Sequence, residues 1–195
     1  MKLITLAKTA LISGAIATLS GCGTINAAQN LEEGAWDTFN EVWDRWVDSE
    51  GDIAYATMWE KEVEEGVTLE DVIDAINSVG TNNNIKNVGE LPLSEELKAR
   101  GIQSDTVYVM SFCNPETARK MLDFSPAMGG FLPCRITIVG KTDPETGKEK
   151  LTLYSMNMDM MVKMGKKLPP DLKKAAMQVR DTIWEMLEKG AAGDF

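Results

Sequence analysis

The 195-residue chain predicts an α+β fold, a single antiparallel sheet with helices on one face, preceded by one amphipathic helix. Three observations carry this expectation. Apolar runs of strand length recur at 53–63, 85–91, 106–112, 136–139 and 151–155. Two longer segments, 69–79 and 172–187, instead repeat their apolar residues at helical spacing. The resulting order, β-α-β-β-β-β-α, places runs of strands together rather than alternating them with helices, which favours antiparallel pairing.

The first 21 residues have the character of a signal peptide. Lys2 and Lys8 form a basic start, and 9–19 is an apolar run too short to span a bilayer. Leu19-Ser20-Gly21-Cys22 resembles the lipobox of bacterial lipoproteins. That resemblance implies cleavage before Cys22 and acylation of this cysteine, so the expected partner is a membrane, held through lipid chains. Gly23 stands where an inner-membrane retention signal would place Asp, which points to the periplasmic face of the outer membrane. Residues 22–34 are small and polar and read as the anchor and its tether.

Residues 35–50 carry the amphipathic helix. Trp36, Phe39, Trp43, Trp46 and Val47 recur at three- and four-residue steps. The opposite face is acidic, which argues against lying on a membrane. The expected partner of the stripe is the domain core or a second subunit.

The domain is expected at 51–190. In the first strand, Ile53, Tyr55, Thr57 and Trp59 alternate. Thr68-Leu69-Glu70-Asp71 resembles a capping box ahead of the helix stripe Leu69, Val72, Ile73, Ile76 and Val79, with Gly80 as its stop. A polar turn at 81–84 leads to a weaker strand, a short helix at 94–100 and a strong strand at 106–112. Asn114-Pro115 starts another helix, since Asn caps free N–H groups and Pro loses no bond at the first position. Ala118 and Leu122 are expected on its inner side. Asp143-Pro144-Glu145-Thr146-Gly147 joins a hairpin, and Leu172, Ala175, Ala176, Val179, Ile183 and Leu187 mark the closing helix.

Composition excludes several functions. The chain has no histidine, so there is no Ser-His-Asp or Cys-His engine and no His-ligated metal site. Three cysteines cannot build a four-cysteine zinc site. A net charge of −10 repels phosphate backbones, so nucleic-acid binding is not expected. Acid pairs such as Glu64/Glu65 are sequence neighbours with no spacing that marks a carboxylate dyad.

Phe112-Cys113-Asn114-Pro115-Glu116-Thr117-Ala118, followed by Gly130-Phe131-Leu132-Pro133-Cys134-Arg135-Ile136, resembles the family called domain of unknown function 302. The resemblance covers roughly residues 53–189 and implies a β-α-β4-α fold of the TATA-box-binding-protein-like class, often dimeric. Met158-Asp159 departs from the family's Asp-Pro after the last strand. The family supplies no settled reaction.

Cys113, Asn114, Pro133 and Cys134 are therefore the candidate ligand-binding or redox residues. Cys113 ends one strand and Cys134 starts the next, so antiparallel pairing brings both to one sheet edge. A disulfide, two separate buried thiols and a ligand or metal site all remain open for them. Met156, Met158, Met160, Met161 and Met164 form a second candidate set, because thioethers suit Cu(I); the alternative is that they fill an irregular corner. Met156 and Met158 are expected on one strand face. The expected function is an uncharacterised binding or interaction domain rather than an enzyme. Copper or other soft-metal handling, or thiol-disulfide chemistry, stands as the alternative.

Overall fold

The computed structural model describes residues 29–194, so the expected signal peptide and the expected lipidation site Cys22 lie outside the described residues. From the N-terminus run α1 (Ala35–Asp48), α2 (Ile53–Thr57), β1 (Met58–Glu62), α3 (Leu69–Asn82), β2 (Lys86–Pro92), α4 (Leu93–Ala99) and β3 (Val107–Cys113). There follow α5 (Pro115–Phe124), a 3-10 turn (Pro126–Phe131), β4 (Cys134–Thr142), β5 (Glu149–Met156), α6 (Met158–Lys163) and α7 (Pro170–Ala192). The five strands form one antiparallel sheet in the order β1-β5-β4-β3-β2.

Strand alternation decides which face is covered. On β4, Cys134, Ile136 and Ile138 are buried while Arg135 is exposed and Thr137 and Val139 are half-buried, the period of a strand with one face on the core. Across the sheet, Met110, Phe112 and Leu153 share that buried face and meet Val72 and Ile76 of α3 and Ile183, Met186 and Leu187 of α7. The hairpin between β4 and β5 is closed by Asp143, whose carboxylate accepts from the N–H groups of Glu145 (2.8 Å) and Thr146 (3.1 Å). Gly147 follows at φ 67°, a left-handed position that glycine occupies without strain.

Local caps explain both the agreements and the departures. The capping box forms: Thr68 Oγ1 accepts from Asp71 N–H, and Asp71 accepts from Thr68 N–H. The expected first strand is shorter, because the Asp52 carboxylate accepts from Ala54 and Tyr55 N–H and turns 53–57 into α2. Ile53 and Tyr55 are consequently exposed. Gly80 does not stop α3, which continues to Asn82; its missing side chain lets Ile85, Phe112 and Met186 approach. Met158 is not on the strand face of Met156. The Asn157 side chain accepts from Asp159 N–H and starts α6 there.

The N-terminal region departs furthest from expectation. Part of the predicted tether is docked: Leu31 bridges to Lys166, and buried Glu32 accepts from Leu168 N–H (2.9 Å) and Lys173 Nζ (2.6 Å). Burial pushes the Glu32 carboxyl up, but these donors outweigh it and hold it below its ordinary value. Helix α1 then lies against the domain through Ala35 and Thr38, both buried, and through Arg45, which donates to the carbonyls of Tyr55 (2.8 Å) and Met58 (3.1 Å). The aromatic stripe is rotated about 100° from that face, so it is not in the core. Trp36 is 60% exposed and Trp43 51%. Among the described residues, no helix is long and apolar enough to cross a membrane.

Candidate functional site

Register brings the two cysteines near each other without opposing them. Phe112 pairs with Cys134, so Cys113 is the diagonal neighbour, and its own partner on the other side is Lys86. Both thiols are free. Both line one cavity of about 30 Å³, room for roughly two water molecules. Its other walls are Phe112, Asn114, Thr117, Ala118, Met121, Met128, Leu132, Met161, Ala176 and Val179, contributed by the end of β3, α5 and its cap, the 3-10 turn and the residue after it, α6 and α7.

The candidates from sequence divide here. Asn114 reaches the cavity, but both ends of its amide are occupied. Oδ1 accepts from Thr117 N–H (2.9 Å), capping α5, and Nδ2 donates to the Asn84 carbonyl (3.1 Å). Pro133 sits one residue before β4, after a cis Leu132–Pro133 peptide; Leu132 lines the cavity and Pro133 does not. Of the methionine set only Met161 joins the two cysteines. Met158 is buried in the main core and Met156 packs against it, while Met160 and Met164 are half-buried away from the cavity walls.

Sequence reasoning missed Met121 and Met128. Met121 was within reach: it lies three residues after Ala118 on the same helical face and is buried, while Leu122 beside it is half-buried. Met128 carries no periodic pattern, because its place depends on the 3-10 turn. With them, five sulfur-bearing residues surround one small, apolar space. Among the described residues there is no group of three or more His, Cys, Asp or Glu that could hold a metal ion.

Burial biases both thiols toward the protonated form. Burial raises the pKa of Cys113, and burial together with the neighbouring Cys113 pushes Cys134 up to about 11. Thiolate is the reactive form. Cys134 in native protein is therefore expected to alkylate about 100-fold more slowly than an ordinary cysteine at pH 8, as mass spectrometry after timed iodoacetamide treatment will read. The same shift sets a stability slope. A thiol that titrates higher when folded contributes fully below the unfolded pKa, about 9, and loses that contribution as pH rises through about 11. Denaturant unfolding at rising pH should show this decline, and Cys134→Ala should show a smaller one, left by the raised pKa of Cys113.

The family model described as Domain of unknown function DUF302 matches residues 59–190. The chain belongs to the DUF302 family. Every wall of the cavity falls inside the DUF302 segment, whereas α1 and α2 precede it. A crystal structure of an uncharacterized conserved DUF302 protein from Bacillus stearothermophilus has the same fold, with a TM-score of 0.54 at 19% identity, covering 68% of this chain and 97% of that one. No curated protein matches.

Proposed function

We propose that the protein is an envelope lipoprotein, anchored through Cys22 to the periplasmic face of the outer membrane, whose DUF302 domain binds a small ligand in the Cys113/Cys134 cavity. The supporting observation is convergence: strand ends, a capped helix, a turn and α7 bring residues from 112 to 179 around one apolar space. The cavity is small, so its occupant is a compact group or the tip of a larger apolar molecule. Thermal unfolding of the native protein against a panel of compact apolar compounds tests this. A ligand at a hundred times its Kd stabilises by about 2.7 kcal/mol, a readily measured rise in Tm. Ala118→Leu, which fills the cavity, should remove that rise. A panel without any shift, or a shift that survives the filling variant, would count against the site.

The five sulfur-bearing residues favour a second reading, in which the occupant is a soft cation such as Cu(I). Thioethers need no deprotonation, whereas the raised thiol pKa values oppose thiolate ligation unless the metal displaces the proton. Competition with a Cu(I) chelator separates the readings. Affinity that vanishes in a Met121→Leu, Met128→Leu, Met161→Leu variant supports copper; affinity unchanged in that variant and in Cys113→Ser, Cys134→Ser excludes it. The raised thiol pKa values lower the thiolate fraction and so slow thiol-disulfide exchange, which makes it the weaker reading.

A further inference from the structure

We infer that α1 is a membrane-docking element: its aromatic stripe lies in the headgroup region of the bilayer that holds the lipid anchor, with zwitterionic lipid as its partner. This rests on the anchor reading above. Helix α1 carries three faces. Ala35 and Thr38 are buried on the domain; Asp37, Glu41, Asp44 and Asp48 face water; and between them Trp36, Phe39, Trp43 and Trp46 form an uninterrupted exposed ladder. Consecutive rings touch, with centroids 6.1, 6.3 and 5.2 Å apart. Tryptophan is the side chain enriched where hydrocarbon meets headgroup.

Distance supports this occupant. The described chain begins seven residues after Cys22, so at most about 25 Å of chain separates the anchor from the domain. A tether of that length holds the stripe at an effective concentration on the order of millimolar relative to the surface. The acidic stripe argues against a free helix reaching a membrane, because such helices rely on basic residues for attraction. A helix already delivered by acyl chains needs no such attraction, and zwitterionic headgroups do not repel it.

Area and charge disfavour a second copy of the chain. Four aromatics exposed by 37–60% offer on the order of 400 Å², about half of what one partner contributes to a stable interface. Two copies meeting stripe to stripe would also bring their acidic flanks together.

Fluorescence of the acylated protein, purified from the envelope and reconstituted in zwitterionic vesicles, tests the inference. With bromine on the acyl chains near the headgroups, tryptophan emission should fall relative to unbrominated vesicles. The Trp36→Ser, Trp43→Ser, Trp46→Ser variant should lose this quenching, since Trp59 is buried and Trp184 packs against the core. These positions are exposed, and a circular dichroism melt checks that the fold is kept. Equal emission in both vesicle types overturns the inference, as does shielding that appears with protein density and not with lipid, which would identify a second copy. Intact mass reads the anchor separately. An acylated chain without quenching keeps the anchor and removes the docking; an unacylated chain that is still quenched does the reverse; an unacylated chain without quenching removes both.

Discussion

Asp159→Asn lowers the unfolding free energy by about 2–3 kcal/mol at pH 7. Asp159 is a buried carboxylate at the start of α6. Arg180 of α7 donates to it through Nε (2.9 Å) and Nη2 (3.1 Å), and Lys163 Nζ stands 3.1 Å away. The same guanidinium lies 5.3 Å from the centre of the Trp59 ring, so one side chain joins α6, α7 and β1. Asparagine keeps the shape but offers one acceptor and no charge, leaving Lys163 without this counterion and Arg180 with Asp181 alone. Breaking a fully buried pair costs about 3–5 kcal/mol. The lower figure applies because Arg180 keeps Asp181 at 2.8 Å and is partly open to solvent. Burial pushes the Asp159 carboxyl up, yet the bonds from Arg180 and Lys163 outweigh it and leave it below the ordinary range. A carboxyl lowered on folding contributes stability above its unfolded pKa, about 4, and loses it as pH falls through the folded value. The gap between wild type and variant should therefore be full at pH 7 and shrink on acidification below about pH 4. Urea unfolding at both conditions measures it; equal stability at pH 7 would show that the pair only breaks even against its desolvation.

The sheet was legible because its signal is local. Met110 and Phe112, and Ile136 and Ile138, repeat at two-residue spacing and are the residues the helices cover. The meeting of Cys113 and Cys134 was legible for a related reason: one ends a strand, the other begins its antiparallel neighbour, and register does the rest. Helix α1 shows where such reasoning stops. Its period announces an apolar face but not which face docks, and that choice went to Ala35, Thr38 and Arg45 through carbonyls of a different segment. The 53–57 segment alternates as a strand does, yet two N–H groups captured by Asp52 decide for a helix. The sulfur lining of the cavity was only half visible, because Met121, Met128 and Met161 come from separate elements and no spacing relates them.

Gly80→Val costs about 3 kcal/mol, and even Gly80→Ala costs about 1 kcal/mol. On propensity alone the sign should be opposite, since Ala in a helix interior gains about 1 kcal/mol over Gly. Space reverses it. A Cβ at position 80 would stand 2.9 Å from the Ile85 carbonyl oxygen, 3.0 Å from Met186 Cε and 3.4 Å from the Phe112 ring. Met186 ends in a flexible methyl that can shift. The Ile85 carbonyl cannot do so cheaply, because Ile85 N–H donates to Gly80 (2.8 Å) and Lys86 is already paired with Cys113. Valine adds two γ-carbons that must press on this strand entry or on Phe112. Either path reaches the cavity, since Phe112 and Cys113 are both in its wall. The two variants should thus lower the urea midpoint in the order Val, then Ala, with the slope unchanged. The Val variant should also alkylate Cys113 faster than wild type in the native state. An Ala variant as stable as wild type would mean that the 84–86 turn yields, and that α3 and β2 are less rigidly joined at the rim of the site than their contacts imply.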